Sequence, residues 1–325
     1  MPIEQISPAL ASIVSQDQPI EELAAGFGND NGPAEGPLWW KEGGYLLFSD
    51  IGNNRRMKWE LGSGATVFQE PTTFANGLTR DVQGRLIACD RTPRVVRTEP
   101  DGSLTVVANN YQSKRLNRPN DVVVKSDGSI YFTDPGAPAP GMALDFAGVY
   151  QVSADLGTLT LLVRDFVLPN GLAFSPDESI LYINDSRRGH IRAFDMQPNG
   201  TLALATDRVF CDLTGERPGV PDGMKVDVEG NVYWGVQVDC GYWTPQATTW
   251  GPSSTAPRPR PILPLVVRIG KRCFSQRATR WVGFGPTFLE CQSRRRPRGP
   301  PRRARPVYDF KRNGLFSQNL GAKER

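Results

Sequence analysis

One short pattern recurs five times along this chain and restricts its fold more than any other feature. A single polar residue leads into a β-branched or aromatic run, a tight turn and a returning strand. The clearest copy is NRPNDVVVKSDGSIYFTDP, from Asn117 to Pro135. Val122, Val123 and Val124 form its first strand, and Ser129 to Thr133 form the return. Ser126-Asp127-Gly128 supplies the turn, because Asp and Gly tolerate the positive φ it needs. The other copies read EGPLWWKEGGYLLFSD from Glu35, NGLTRDVQGRLIACD from Asn76, PNGLAFSPDESILYINDS around Asn170 and PDGMKVDVEGNVYWG around Asp222. The leaders Glu35, Asn76, Asn120, Asn170 and Asp222 recur about every 40–50 residues, the spacing of propeller blades. Radial repetition brings such matched residues to one end of a central channel.

The second copy shows the content of one blade. Strands are expected at Gly77–Arg80, Leu86–Asp90, Val95–Thr98 and Leu104–Val107, with turns at Gln83-Gly84 and Asp101-Gly102. Residues 1–30 read as an N-terminal arm, in which Ile20 to Ala25 begins either a short helix or a strand that closes the ring. A Pro- and Ala-rich insertion, Gly136 to Phe146, interrupts the third copy at its leader end, where it either covers a pocket or is a surface loop. Asp134 either lines the channel or only ends a strand. Trp39, Trp40 and Trp234 are expected in the core between blades. His190, the only histidine, offers neither a triad nor a multi-His metal site and is expected to be structural.

Five cysteines at irregular spacing give no disulfide or metal pattern. No apolar run approaches the roughly 20 residues that span a membrane, and the first residues show no basic start followed by an apolar stretch. The expectation is a cytoplasmic protein that binds neither membrane nor nucleic acid.

The charge distribution runs against that last point. Residues 1–234 carry 20 Lys and Arg against 30 Asp and Glu, a net of −10, whereas residues 235–325 carry 18 against 4, a net of +14. Such a tail ordinarily suggests a nucleic-acid partner. The strand–turn pattern, however, stops at Trp234. When Val236 onward is back-translated and read from the third base of each codon, the blade pattern returns. Tyr242-Trp243 can then give only Leu, Trp243-Thr244 only Asp and Trp250-Gly251 only Gly. Permitted codons turn Gln237 to Gly251 into GGLWVLDPSGNHLG, and Pro261 to Phe284 into NIAFGGADWKTLFLTTRNTLGRF. The second peptide is a sixth strand–turn–strand unit with its own Asn leader. Residues 31–234 therefore read as propeller blades one to five. Residues 235–325 read as a frameshifted, poorly ordered basic tail in place of the sixth blade.

EGPLWW, RPNDVVVKSDGSIYFTDP, LPNGLAFSPDESILYINDS and PDGMKVDVEGNVYWG resemble the gluconolactonase-like family that includes regucalcin (senescence marker protein 30). The resemblance covers about residues 30–234 and continues through the shifted-frame peptide. It implies an all-β fold, a six-bladed β-propeller whose last blade is disrupted here, with one divalent metal ion in the channel and lactone hydrolysis as its activity. By motif, Glu35 and Asn170 match metal ligands, and Asp222 matches the residue that is both ligand and general base. Asn120 matches a residue close to metal and substrate. Arg118 stands where regucalcin-like members place an arginine that contacts substrate, although bacterial members vary there.

The chemistry of these residues is coherent without the resemblance. Glu35, Asn170 and Asp222 offer only oxygen, which suits hard cations such as Ca²⁺, Mg²⁺ or Mn²⁺; Ca²⁺ is the expected ion, with Zn²⁺, Mg²⁺ and Mn²⁺ as alternatives. A bound cation would polarise a lactone carbonyl, and a carboxylate beside it would take a proton from the attacking water. The expected function is metal-dependent hydrolysis of a small sugar lactone. A non-catalytic metal-binding propeller and an inactive frameshifted product remain the alternatives.

Overall fold

Strand β1 (Glu21–Phe27) pairs antiparallel with a segment far along the chain, Thr279–Gly283, with Glu21 opposite Gly283 and Phe27 opposite Thr279. Of the two readings of Ile20 to Ala25, the strand is the one found, and its partner lies in the C-terminal region. The computed structural model describes residues 21–136, 141–214, 220–237 and 279–283. Much of the basic tail therefore lies outside the described residues.

The recurring units fold as separate antiparallel sheets. The first comprises β2 (Ala34–Trp40), β3 (Tyr45–Asp50), β4 (Arg55–Glu60) and β5 (Gly64–Gln69). The second holds β6 (Leu78–Arg80), β7 (Leu86–Asp90), β8 (Arg94–Thr98) and β9 (Leu104–Ala108), within a residue of the sequence expectation at each end. After a short ribbon of β10 (Asn110–Tyr111) and β11 (Lys114–Arg115) comes the third sheet. It is built from β12 (Val122–Val124), β13 (Ile130–Asp134), β14 (Gly148–Val152) and β15 (Leu159–Val163). The fourth has β16 (Pro169–Phe174), β17 (Ile180–Asp185), β18 (His190–Met196) and β19 (Leu202–Asp212). Of the fifth unit, β20 (Val220–Val226) and β21 (Val232–Gln237) are described, and β22 is the partner of β1 already given. Each four-stranded sheet is a simple meander, its strands neighbouring in chain order.

The apolar side chains lie between successive sheets rather than within one. Leu47 and Trp40 of the first sheet pack with Leu78, Ala88 and Val96 of the second. Ile87 and Val95 of the second meet Val122, Phe132 and Tyr150 of the third. Tyr131 and Val149 reach across to Leu172, Ile183 and Phe194 of the fourth, and Ala173 and Tyr182 to Met224, Val232 and Trp234 of the fifth. Phe27 of β1 packs on Phe48 and Trp59 of the first sheet. Trp39 and Trp40, adjacent in β2, point to opposite sides and so join different interfaces. Fully burying each such large side chain contributes roughly 1.5–3 kcal/mol. Sheet stacked on sheet in chain order is propeller-like packing.

The turn chemistry follows the sequence. Asp127 accepts the Ser129 N–H at 2.8 Å, and Gly128 takes φ +93°. Among the described residues no helix is long and apolar enough to cross a membrane.

Candidate active site

All five leaders stand at the same irregular point of their sheets. The pairing of first and second strands shifts register between Glu35 and Leu38, between Pro169 and Leu172, and between Pro221 and Met224. Asn76 and Asn120 fall at the equivalent place just before β6 and β12, where Asn76 N–H donates to Cys89 O at 2.8 Å and Asn120 N–H to Thr133 O at 2.8 Å. Such irregularities bend the strand and re-aim a side chain.

The leaders of neighbouring sheets touch. Asn76 Nδ2 donates to Asn120 Oδ1 at 2.6 Å, and Asn120 Nδ2 donates to Asn170 Oδ1 at 2.5 Å. Asn170 Nδ2 in turn donates to Ser186 Oγ at 3.2 Å. Glu35 and Asp222 flank this amide chain. Gly36, just after Glu35, lies so close to Asn76 that an added Cβ would stand 2.3 Å from the Asn76 carbonyl oxygen. A Cβ at Gly171, after Asn170, would stand 2.3 Å from the Asp222 carbonyl oxygen. The glycines after Glu35 and Asn170 are therefore a requirement of space. The order along the row is Glu35, Asn76, Asn120, Asn170, Asp222. Asp222 is buried, and the other four are half-buried.

A second set of residues, which the sequence reading did not single out, holds the row in place. Ser49 Oγ donates to Asn76 O at 2.7 Å, Thr133 Oγ1 to Asn170 O at 2.8 Å, and Asn184 Nδ2 to Asp222 O. Each sits one residue before a recurring buried aspartate, in the triplets FSD, FTD and IND, and each grips the leader of the next sheet. Ser186 adds a bond to Pro221 O. The triplets were visible as a repeat; that they reach across to the next unit was not.

The aspartates that end these triplets are structural. Asp134 Oδ2 accepts the Asn117 N–H at 2.8 Å, and Oδ1 accepts the Arg118 N–H. Asp185 accepts the N–H groups of Val167 at 2.8 Å and Leu168 at 3.1 Å. They tie down the segments that enter the leaders. Asp134 thus ends its strand and braces the loop, and burial pushes its carboxyl up to about 6 against those two N–H donors. The described part of the insertion lies at the same end, since Leu144 N–H donates to Asn117 Oδ1 at 3.0 Å. His190 opens β18, and burial lowers its pKa. Arg118 is exposed beside this end, two residues before Asn120.

Among the described residues no three His, Cys, Asp or Glu side chains gather into a metal-binding cluster. The leader row offers instead two carboxylates and an amide oxygen, an all-oxygen donor set that fits a hard divalent cation. One observation agrees with that fit: Asn184 Oδ1, fully buried where Asn184 grips Asp222, has no hydrogen-bond donor among the described residues. Buried acceptors without a donor are uncommon and call for an explanation such as an ion.

Three comparisons bear on this arrangement. A family model described as the SMP-30/gluconolactonase/LRE-like region matches residues 33–241. The gluconolactonase of Zymomonas mobilis is 32% identical over 260 residues, spanning 71% of this chain and 71% of that protein. The pentonolactonase of Haloferax volcanii is 29% identical over 202 residues, spanning 61% of this chain and 65% of its own length. Among solved structures, a gluconolactonase from Xanthomonas campestris superposes with a TM-score of 0.64 at 31% identity, covering 73% of this chain and 79% of that one.

Proposed function

The chain belongs to the SMP-30/gluconolactonase/LRE-like family, and from that premise we propose that its leader row is the active centre of a metal-dependent sugar lactonase. Lactone hydrolysis is the activity its relatives are named for, on gluconolactone and on pentonolactone. The observation that carries the assignment to these residues is the hydrogen-bonded amide chain Asn76–Asn120–Asn170, flanked by the carboxylate residues Glu35 and Asp222.

Glu35, Asn170 and Asp222 are the residues that would hold one divalent cation. When bound, it supplies a positive charge that polarises the lactone carbonyl and acidifies water. The protein side chains do the rest. Asn120, tied on both sides by its neighbours, presents a fixed polar edge toward the sugar. The Asp222 carboxylate takes a proton as water attacks the carbonyl carbon. The acyl–oxygen bond then breaks, and the proton passes to the departing ring oxygen, giving the open-chain hydroxy acid. Arg118 is assigned to substrate contact.

If Glu35 is a ligand, Glu35→Gln should weaken divalent-cation binding by at least about tenfold, as losing ligand support typically does. Calorimetric titration of metal into the chelator-treated variant measures this. Unchanged affinity would remove Glu35 from the site.

The reading of residues 235–325 as a shifted frame is part of the same proposal. The family match ends at residue 241, close to Trp234, where the blade pattern stops. Resequencing the coding DNA from the Asp222 codon to the stop should reveal one inserted or missing base near Gly235. An intact frame there would refute the shift.

A further inference from the structure

Two guanidiniums at the leader end have no hydrogen-bond or ion-pair partner for their side chains among the described residues. Arg91 follows directly on Asp90 at the end of β7, and its N–H donates to Thr73 O at 3.0 Å. Its guanidinium lies 5.9 Å over the ring of Phe74, two residues before Asn76. It is half-buried, and a Cβ at Gly32 would stand 3.0 Å from its Nη2. Arg118, two residues before Asn120, holds in the next unit the place that Phe74 holds in this one. The two arginines thus stand beside adjacent members of the leader row. The leaders beside them, Asn76 and Asn120, are hydrogen-bonded at 2.6 Å, and burial together with the charge of Arg118 lowers the pKa of Arg91.

Two carboxylates at this end, Asp90 and Asp134, are already engaged. Asp90 is taken by Thr73 Oγ1 at 2.9 Å, Thr92 N–H at 2.9 Å and Arg94 at 2.8 Å. Asp134 is taken by the backbone of Asn117 and Arg118. A half-buried cation without a partner is unfavourable, and a like charge beside it adds to the cost. A single anion would relieve both. The forked geometry of guanidinium suits a planar carboxylate or a phosphate.

We infer that Arg91, together with Arg118, forms a subsite for an anionic substituent of the substrate, so that the preferred lactones carry a carboxylate or phosphate outside the lactone ring. This deepens the lactonase reading and rests on it for the word substrate. The binding of an anion does not.

The test compares wild type, Arg91→Gln and Arg91→Lys on glucono-1,5-lactone, D-glucaro-1,4-lactone and 6-phosphoglucono-1,5-lactone. Wild type should favour at least one of the anionic lactones, and which one distinguishes carboxylate from phosphate. Arg91→Gln should lower the anionic-to-neutral ratio of kcat/KM about tenfold or more, chiefly through KM, on the scale of a lost charge-assisted hydrogen bond. Arg91→Lys should recover part of that ratio, since it keeps the charge without the fork. A preference for the neutral lactone in wild type, or an unchanged ratio in Arg91→Gln, overturns the subsite. In parallel, inorganic phosphate is titrated with EDTA present while Tm is followed against sodium chloride of equal ionic strength. Phosphate should raise Tm in wild type and not in Arg91→Gln. If that holds while no lactone is hydrolysed, the lactonase reading fails and the anion site stands. If phosphate has no effect on wild type, or the same effect on the variant, the anion site fails whatever the activity.

Discussion

Asp222→Ala should lower kcat/KM on glucono-1,5-lactone by about 10³-fold or more, because it removes a general base and a cation ligand in one step. The loss should not come from unfolding. Two neighbours hold residue 222 through its backbone: Asn184 Nδ2 donates to its carbonyl oxygen, and Gly171 packs against the same atom. Alanine keeps that carbonyl in place. The variant should therefore melt cooperatively within a few degrees of wild type while hydrolysing little lactone. Full activity in Asp222→Ala would take the proton-transfer role away from this residue and with it the mechanism proposed above.

The second large effect concerns space. Gly171→Ala would put a methyl group 2.3 Å from Asp222 O and 2.8 Å from Met224 N. Both are backbone atoms of the next sheet and cannot rotate away. Overpacking of this kind costs about 3 kcal/mol, or a Tm lower by roughly 4–5 °C in a chain of this size. The leader Asp222 should shift with its strand, so activity should fall as well. Gly223→Ala is the control. It is the equivalent glycine of the fifth unit, and among the described residues nothing lies within 4 Å of an added Cβ there. Its stability should change by less than about 0.5 kcal/mol. Equal Tm values for the two variants would refute the close packing of leader against leader.

These contacts also mark how far the sequence could be read. The strands of the second unit were legible almost to the residue, because β-branched runs bounded by Asp-Gly or Gln-Gly turns leave few alternatives. The leaders were legible because they repeat. What the repeat could not show is how one unit holds the next. Ser49 bonds to Asn76, 27 residues on, and Asn120 to Asn170, 50 residues on. Periodicity says that two residues are equivalent; it does not say that they touch. Asp134 shows the same limit. As a residue it suits a channel lining or a strand end equally, and only its bonds to the Asn117 and Arg118 N–H groups identify it as a brace. Arg91 gave no sequence signal, since its interest lies in a partner it lacks among the described residues. The shifted-frame sixth unit falls largely outside the described residues and stays a reading of codons.

The most direct test of a metal-dependent lactonase centred on Glu35, Asn170 and Asp222 is acid release from glucono-1,5-lactone, followed in a pH-stat before and after chelation. The purified 325-residue chain is assayed as prepared, after EDTA and dialysis, and after return of Ca²⁺, Mg²⁺, Mn²⁺ or Zn²⁺ singly. The predicted result is acid release above the spontaneous rate, its loss on chelation and its recovery with at least one of the four ions. Acid release that chelation leaves untouched would contradict the metal-centred site.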